Sequence, residues 1–464
     1  MRVAVVFLSL ALTVPLLAQV DTVSMGQTVQ LPCAALGDAD HAAVAINARG
    51  DIFVAWSSRR TDLSSRATQV DGCLLTYLGS GTWDMPTLGY NCWVLGSAEA
   101  SVFGSGYDSC RKPDVVAVGD DFVVTWPRSN GARAMSRLEM VRVRCSPGAL
   151  PFIETAAPGI GFLIDPLLES KDAGAMPDLV TLSVVPPVVG VVYVEDERRN
   201  PPYREFDLRF CRADFSVLPP AVDGPMVLVD DLPQDDPPIS GEPAGGKVLP
   251  ELELDDQGNL VLAYESYVRY AHFGWPWDEG RVHVEWFCNG ASGLPSLLQG
   301  IHFNGRTRSS RVRRPSLSAS RLDRANTVSL SFMDAPDNLG DFDVVHRELS
   351  YAGGVITDQD FGYPNAVNRS DSMPVVAHGG SLRLSLAIHK QDAREQVMAF
   401  APSFANRPFV DMDCPVAHPW RPSIALLEPA PPDLPSAGVL LPVSYEGPGT
   451  PGGPLRIYLI VHAL

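Results

Sequence analysis

The chain of 464 residues carries 36 basic and 54 acidic side chains, a net charge of −18, together with 39 glycines and 41 prolines. A surface that acidic repels phosphate backbones, so nucleic acid is excluded as the expected partner. Past the N-terminus no apolar run reaches the ~18 residues of a membrane span, which argues against membrane insertion.

Met1-Arg2 precedes the apolar run Val3 to Leu17 and the small Ala18. That order is expected of a secretory signal peptide cleaved near Ala18. Residues 1–18 therefore read as a leader and 19–464 as one domain, secreted or periplasmic, in a compartment where disulfides persist.

Next comes a repeat. A proline opens a short apolar strand, a turn follows, and a second strand ends in an apolar anchor, usually aromatic. The copies are Pro113 to Trp126, Pro177 to Tyr193, Pro250 to Tyr264, Pro315 to Phe332, Pro374 to Ile388 and Pro422 to Tyr445, with Ala43 to Trp56 as a first copy lacking the proline. A third strand follows each anchor (69–79, 140–148, 206–214, 282–290, 342–354, 395–403 and 455–464), and a fourth leads to the next proline. Radial repetition of four-stranded sheets produces so long a period from short strands. The expected fold is all-β, a seven-bladed β-propeller of four-stranded antiparallel blades. The last copy lacks a fourth strand, and Thr22 to Leu31 is expected to supply it, pairing with the C-terminal strand and closing the ring without an exposed edge.

Cys73, Cys145, Cys211 and Cys288 fall at similar places on third strands, so most of them read as small buried residues. Cys33, Cys110 and Cys414 precede innermost strands, and Cys92 lies in the insertion after the first copy. Pairings of Cys33 with Cys110 or Cys414, or of Cys92 with Cys110, stay open. No pair of CxxC motifs is present for structural zinc, and no metal or cofactor is expected.

Strand starts and the residues after the anchors share one rim around the central channel. That rim gathers Arg111 with Lys112, Arg313 with Arg314, and Trp420 with Arg421. After the anchors it gains Ser57 to Arg60, Arg128, Glu195 to Arg199, Glu265, Asp334, His389 with Lys390, and Glu446. Such charges are either solvated loop groups or a pocket in which Arg111, Arg314 and Arg421 grip an anion. A loop on this rim carries Tyr267, Arg269, Tyr270, His272, Phe273, Trp275 and Trp277. Rings beside arginine and carboxylates suit stacking on a sugar or capture of a protein side chain; the competing reading is a small satellite core. The insertion from Gly79 to Cys110 holds Trp83, Tyr90, Trp93 and Tyr107, a possible second patch.

Other motifs reduce to local structure. Arg49-Gly50-Asp51 occupies a hairpin turn. Gly447 to Gly452 fits GxGxxG without the helix start a dinucleotide needs. Asp230-Asp231 and Asp235-Asp236 lie in a proline-broken loop ill-suited to calcium. GxSxG, HExxH and P-loop motifs are absent.

Arg111-Lys112-Pro113, Arg314-Pro315 and Arg421-Pro422 resemble the arginine-proline strand starts of sialidases and similar secreted bacterial propellers. The resemblance implies an arginine cluster for a substrate carboxylate, with Tyr264 and Glu265 in place of the attacking pair and an aspartate as acid. It covers architecture only: that family has six blades and repeated SxDxGxTW turns, of which Gly79 to Trp83 is a remnant lacking the aspartate. The leading functional expectation is a secreted, non-catalytic recognition protein holding a glycan or an exported protein near Trp275, Trp277 and Arg314. The alternatives are a sialidase-like glycosidase or lyase with Glu265 or Asp334 as acid/base, and a structural scaffold.

Overall fold

The computed structural model describes residues 22–32, 37–63, 67–104, 107–130, 136–166, 176–200, 203–229, 246–272, 275–288, 295–304, 311–319, 327–335, 343–361, 370–379, 382–391, 394–400, 410–411, 420–434, 438–448 and 453–464. The leader-like residues 1–18, the acidic pairs at 230–236, Cys33 and Cys414 lie outside them. No helix among the described residues is long and apolar enough to cross a membrane.

The chain is all-β and builds antiparallel four-stranded units, each named below for its anchor. The Tyr193 unit is typical, with Asp178–Ser183, Val188–Asn200, Tyr203–Asp214 and Ala221–Val229 hydrogen-bonded in that order. Alternating valines give its second strand two apolar faces: Val189, Val191 and Tyr193 face the Trp126 unit, whereas Val192 and Val194 face the Tyr264 unit. A strand buried on both faces needs neighbours on both sides, so one such unit does not fold alone. The anchors Trp56, Trp126, Tyr193, Tyr264, Phe332 and Tyr445 are all buried between units.

The first strands of successive units are neighbours: Ala39–Ile46 touches Asp114–Val118, which touches Asp178–Ser183, and so on through Gly246–Leu254, Arg311–Ala319, Ser370–His378 and Trp420–Ile424. The last of these lies beside Ala39–Ile46 again.

The N-terminal segment divides its work, which differs from the expected single strand. Val29–Gln30 pairs with the C-terminal strand Leu455–Ala463 (Val29 opposite Leu459), whereas Thr22–Ser24 pairs with Thr82–Asp84 of the Trp56 unit. The intervening Gly26, at φ 73°, makes that change of partner without the strain a Cβ would bring.

Three other expectations are corrected. Cys73 forms a disulfide with Cys92, its cross-strand neighbour, while Cys110 is a free buried thiol, so neither pairing proposed for Cys110 forms. Cys288 is exposed. Arg128 is not a rim charge; it is fully buried, for reasons of charge pairing taken up in the Discussion. In the first-copy insertion Trp83 is buried, donating Nε1–H to the Gly50 carbonyl at 2.7 Å, and Trp93 stacks on Phe53, so these two rings are packing, whereas Tyr90 and Tyr107 are exposed. The Arg49-Gly50-Asp51 turn is structural as expected: Asp51 pairs with Arg49 at 2.5 Å and accepts the Tyr77 N–H at 2.9 Å.

Candidate functional site

The residue before each strand-opening proline adopts a backbone conformation that sequence alone does not announce. Lys112, Leu249, Arg314 and Arg421 have φ of 47°, 52°, 52° and 43°, and His41, in the copy without the proline, has 54°. Left-handed backbone is unfavourable for non-glycine residues and costs roughly 1–3 kcal/mol at each site. At His41, Leu249, Arg314 and Arg421 the strand ladder also slips register, as expected of a bulge.

Three of these left-handed residues are held from the preceding unit by the residue that follows its anchor. Glu446 accepts the His41 N–H at 2.5 Å, Ser57 accepts the Lys112 N–H at 2.8 Å, and Glu265 accepts the Arg314 N–H at 3.0 Å. The fold thus spends side-chain acceptors to present His41, Lys112, Arg314 and Arg421 at one mouth. These residues line a cavity of about 970 Å³ formed by the first strands of all the units.

Deeper in the cavity the residue after the proline links one first strand to the next in every copy that has the proline except that of Pro374, where it is Val375. Asp114 accepts the Leu179 N–H at 2.7 Å, Asp178 the Leu252 N–H, Ser316 the Val376 N–H at 3.2 Å and Ser423 the Val44 N–H at 3.2 Å. Glu251 does the same for Leu317. Three of these linkers are acidic and adjacent, so burial and mutual repulsion raise their proton affinity. Burial pushes Asp114 up to about 7, and burial together with the charges of Asp114 and Glu253 pushes Glu251 up to about 8; Asp178 between them is raised as well. A folded carboxyl that holds its proton where the unfolded chain has released it makes stability fall as pH rises. The window runs from the ordinary carboxylate range near pH 4 up to about pH 8. Asp178→Asn, which keeps an acceptor for Leu252, is therefore expected to raise the unfolding temperature at pH 8 and to change it little at pH 4. An equal effect at both values in thermal unfolding would contradict this.

At the mouth, the cluster between the Tyr445 and Trp56 units has the opposite character. His41 Nδ1 lies 3.0 Å from Asp40 Oδ1 and 3.1 Å from Arg421 Nη1, and Arg421 Nη1 lies 3.7 Å from Glu446 Oε2. Burial raises Glu446 to about 8, helped by Asp40 and opposed by Arg421 and by the N–H groups of His41 and Ala42. Burial also lowers His41, against the pull of Asp40 and with the help of Arg421 and Lys112. Asp40, which burial alone would raise, falls below its ordinary value because of its hydrogen bond with His41 and the charges of His41, Arg421 and Arg111. Near neutral pH Glu446, 3.7 Å from Arg421, is thus largely protonated, so Asp40 is the ionised carboxylate that shares the guanidinium with any ligand; Arg421 is 38% exposed.

Of the residues expected at the site, Arg314, Arg421 and Glu265 line the cavity. Glu265 is buried and serves as the clamp on the Arg314 backbone. Arg111 lies beside the mouth, its Nε–H donating to Ser109 Oγ at 2.9 Å and to Thr68 Oγ1 at 3.3 Å. Asp334 is buried on Thr327–Ala335, opposite Asp343. Tyr264 is buried and donates to Glu285 at 2.9 Å. Trp420 is paired with Glu446 in the strand ladder.

The aromatic segment is not a loop. Leu260–His272 and Trp275–Cys288 run on as one long hairpin, placing Tyr267 opposite Gly280, Arg269 opposite Asp278, Tyr270 opposite Trp277 and His272 opposite Trp275. Paired extended strands satisfy the backbone that a loop would leave to water. Sequence reasoning missed Asp40 and His41 because that copy lacks its proline. Aligning the position before Pro113, Pro315 and Pro422 with His41 would have found them.

No family model and no curated protein matches the chain. Among solved structures, it is similar to a polysaccharide lyase described as an ulvan lyase, with TM-score 0.54 and 10% identity over 94% of this chain and 98% of that one. A second structure of that kind, bound to -[GlcA(1-4)Rha3S]-, aligns with TM-score 0.53 and 10% identity over 94% and 98%. An α-L-arabinanase from Penicillium chrysogenum aligns more weakly, with TM-score 0.44 and 10% identity over 95% and 98%. At such identities the lyase likeness carries architecture: an all-β, propeller-like body to which this chain is similar along nearly its whole length.

Proposed function

We propose that this chain is an exported, seven-bladed β-propeller that binds an anionic glycan at the cationic mouth of its central channel without cleaving it. The observation that carries the reading is Arg421, 38% exposed and lining the cavity 3.1 Å from His41, with His41, Lys112 and Arg314 presented on the same rim by left-handed backbone. In a protein of net charge −18 a group of cations at one mouth gives an acidic ligand a local attraction that the rest of the charge opposes.

The seven-bladed reading rests on the cyclic neighbourhood of the first strands, with Val29–Gln30 completing the last unit. Export is supported by the leader-like N-terminus and by the Cys73–Cys92 disulfide. A glycan is favoured over another anion by the likeness to a lyase whose bound oligosaccharide carries a uronic acid and a sulfated sugar. The hairpin whose strand pairs with the start of Arg311–Ala319 also carries Tyr270, His272, Trp275 and Trp277 in its sequence, residue types that stack on sugars. Binding is preferred to cleavage by Glu265 and Asp334 because Glu265 is committed to the Arg314 backbone and Asp334 is buried.

The test is an array of neutral, uronate and sulfated glycans probed with the mature protein and with Arg421→Ala. Binding confined to anionic glycans and weakened at least tenfold by the substitution is expected. Binding to neutral glycans, or anionic binding indifferent to Arg421, would overturn the reading. A blank array for both proteins would move the search to exported polypeptides.

A further inference from the structure

The His41 imidazole has one Nδ1, and two groups compete for it. Arg421 Nη1, at 3.1 Å, can only donate and needs a lone pair there. Asp40 Oδ1, at 3.0 Å, can only accept and needs a proton there. The neutral ring satisfies Arg421 only as the Nε2–H tautomer, which leaves Asp40 facing a lone pair; a ring that carries a proton on Nδ1, above all the imidazolium, satisfies Asp40 and turns that N–H against Arg421. The His41 backbone is meanwhile held in its left-handed conformation by the bond from its N–H to Glu446, which keeps the Cβ at the mouth beside both groups.

We propose that His41, Lys112 and Arg421 form a proton-linked oxyanion site at the channel mouth. A sulfate or carboxylate oxygen takes Arg421 from His41 Nδ1, and His41 binds a proton that it donates to Asp40. The inference rests on the reading of this mouth as an anion site and adds what drives the exchange. The charged groups facing His41 are Asp40 on its own strand, Arg421 and Glu446 from the Tyr445 unit, and Lys112 and Arg111 from the Trp126 unit. Arg421 and Lys112 disfavour the imidazolium, and an anion between them removes that opposition while Asp40 remains to receive the Nδ1–H. The balance is simple: the proton comes from solvent, taken up in the pH range between the His41 midpoints without and with the anion, and no bond other than hydrogen bonds is made or broken. Because linkage is reciprocal, an anion that raises proton affinity is itself bound more tightly at lower pH.

The ligand class is therefore an oxyanion able to accept from a guanidinium fork and an ammonium at once, as sulfate esters and carboxylates do. Inorganic sulfate and a sulfated oligosaccharide share that chemistry, and both serve as probes.

The test follows the ring protons of the nine histidines by NMR titration of the whole mature protein. The His41 resonance is assigned with His41→Gln, and the other rings are internal references. In chloride, His41 is expected to titrate below the ordinary histidine value. In sulfate at equal ionic strength its midpoint is expected to rise by about one pH unit, equivalent to about tenfold tighter sulfate binding by the protonated form. In Arg421→Gln the midpoint should be high from the start and no longer respond to sulfate. A His41 midpoint unmoved by sulfate, or moved equally in Arg421→Gln, overturns the inference. If sulfate shifts His41 and the sulfated oligosaccharide does not, the oxyanion site stands and the glycan reading falls. If both shift it, the two stand together.

Discussion

Replacing Arg128 with methionine is expected to cost about 3–5 kcal/mol of stability, the scale of leaving a buried ionic network without its cation. The guanidinium is fully buried and makes a fork of bonds that no apolar side chain replaces. Its Nε–H donates to Glu139 Oε1 at 2.8 Å. Nη1 reaches the Ser97 and Ala100 carbonyls at 2.8 and 3.1 Å and Asp108 Oδ2 at 3.3 Å, and Nη2 reaches the Gly159 carbonyl. These partners come from the insertion after the first copy, from the third strand of the Trp126 unit and from the turn before Phe162–Asp165. One side chain thus holds three segments together. Without it the buried Asp108 and Glu139 lose their shared cation, and among the described residues Arg137 is the cation left beside Glu139. Lysine keeps the charge but not the fork, and Arg128→Lys is expected to recover less than half of the loss. Urea unfolding with an unchanged slope measures both. A methionine variant within 1 kcal/mol of the parent would contradict the account.

Removing residues 22–31 is expected to cost at least about 5 kcal/mol and to leave a protein that aggregates on warming. Val23 and Leu31 are buried in one cluster with Trp83, Ile457, Leu459 and Val461. Burying two such side chains is worth about 1.5–3 kcal/mol each. The segment also supplies backbone bonds to both neighbours, from Met25 N–H to the Gly81 carbonyl, Gly26 N–H to Val461 and Leu31 N–H to Ile457. Each such bond adds about 1 kcal/mol. Its loss would bare Leu455–Ala463 as an unpaired edge strand, an invitation to pair with another chain. Thermal unfolding and light scattering read the two effects. An unfolding temperature equal to that of the parent would show that the N-terminal segment is not part of the structural body.

The architecture was legible because its cause is local and repeated. A proline cannot donate to a ladder, so it marks a strand's first residues, and a large anchor must be buried wherever two sheets meet. Those two constraints recur in nearly every copy and need no knowledge of the partner. The site was only half legible. Arg314 and Arg421 announce themselves by standing before prolines, yet the raised proton affinity of Glu446 beside Arg421 comes from burial between units. His41 was invisible for a different reason: it occupies a bulge that the first copy makes without the proline. Arg128 resembled its rim neighbours in sequence because its partners at 97–108, 139 and 159 come together only through tertiary folding. The Cys73–Cys92 bond depends on a cross-strand register that spacing does not reveal. The aromatic segment read as a loop because hairpin length is set by pairing, and nothing in its composition separates a long hairpin from a decorated turn.

The claim that an anion is bound where Arg421, His41 and Lys112 meet can be tested most directly by location. Crystals of the mature protein soaked in selenate and measured at the selenium edge should show one anomalous peak at the channel mouth, within hydrogen-bonding distance of Arg421 Nη1, and none in crystals of Arg421→Ala. A peak that stays at the mouth without Arg421, or selenate found only at positions away from the cavity, would contradict the account.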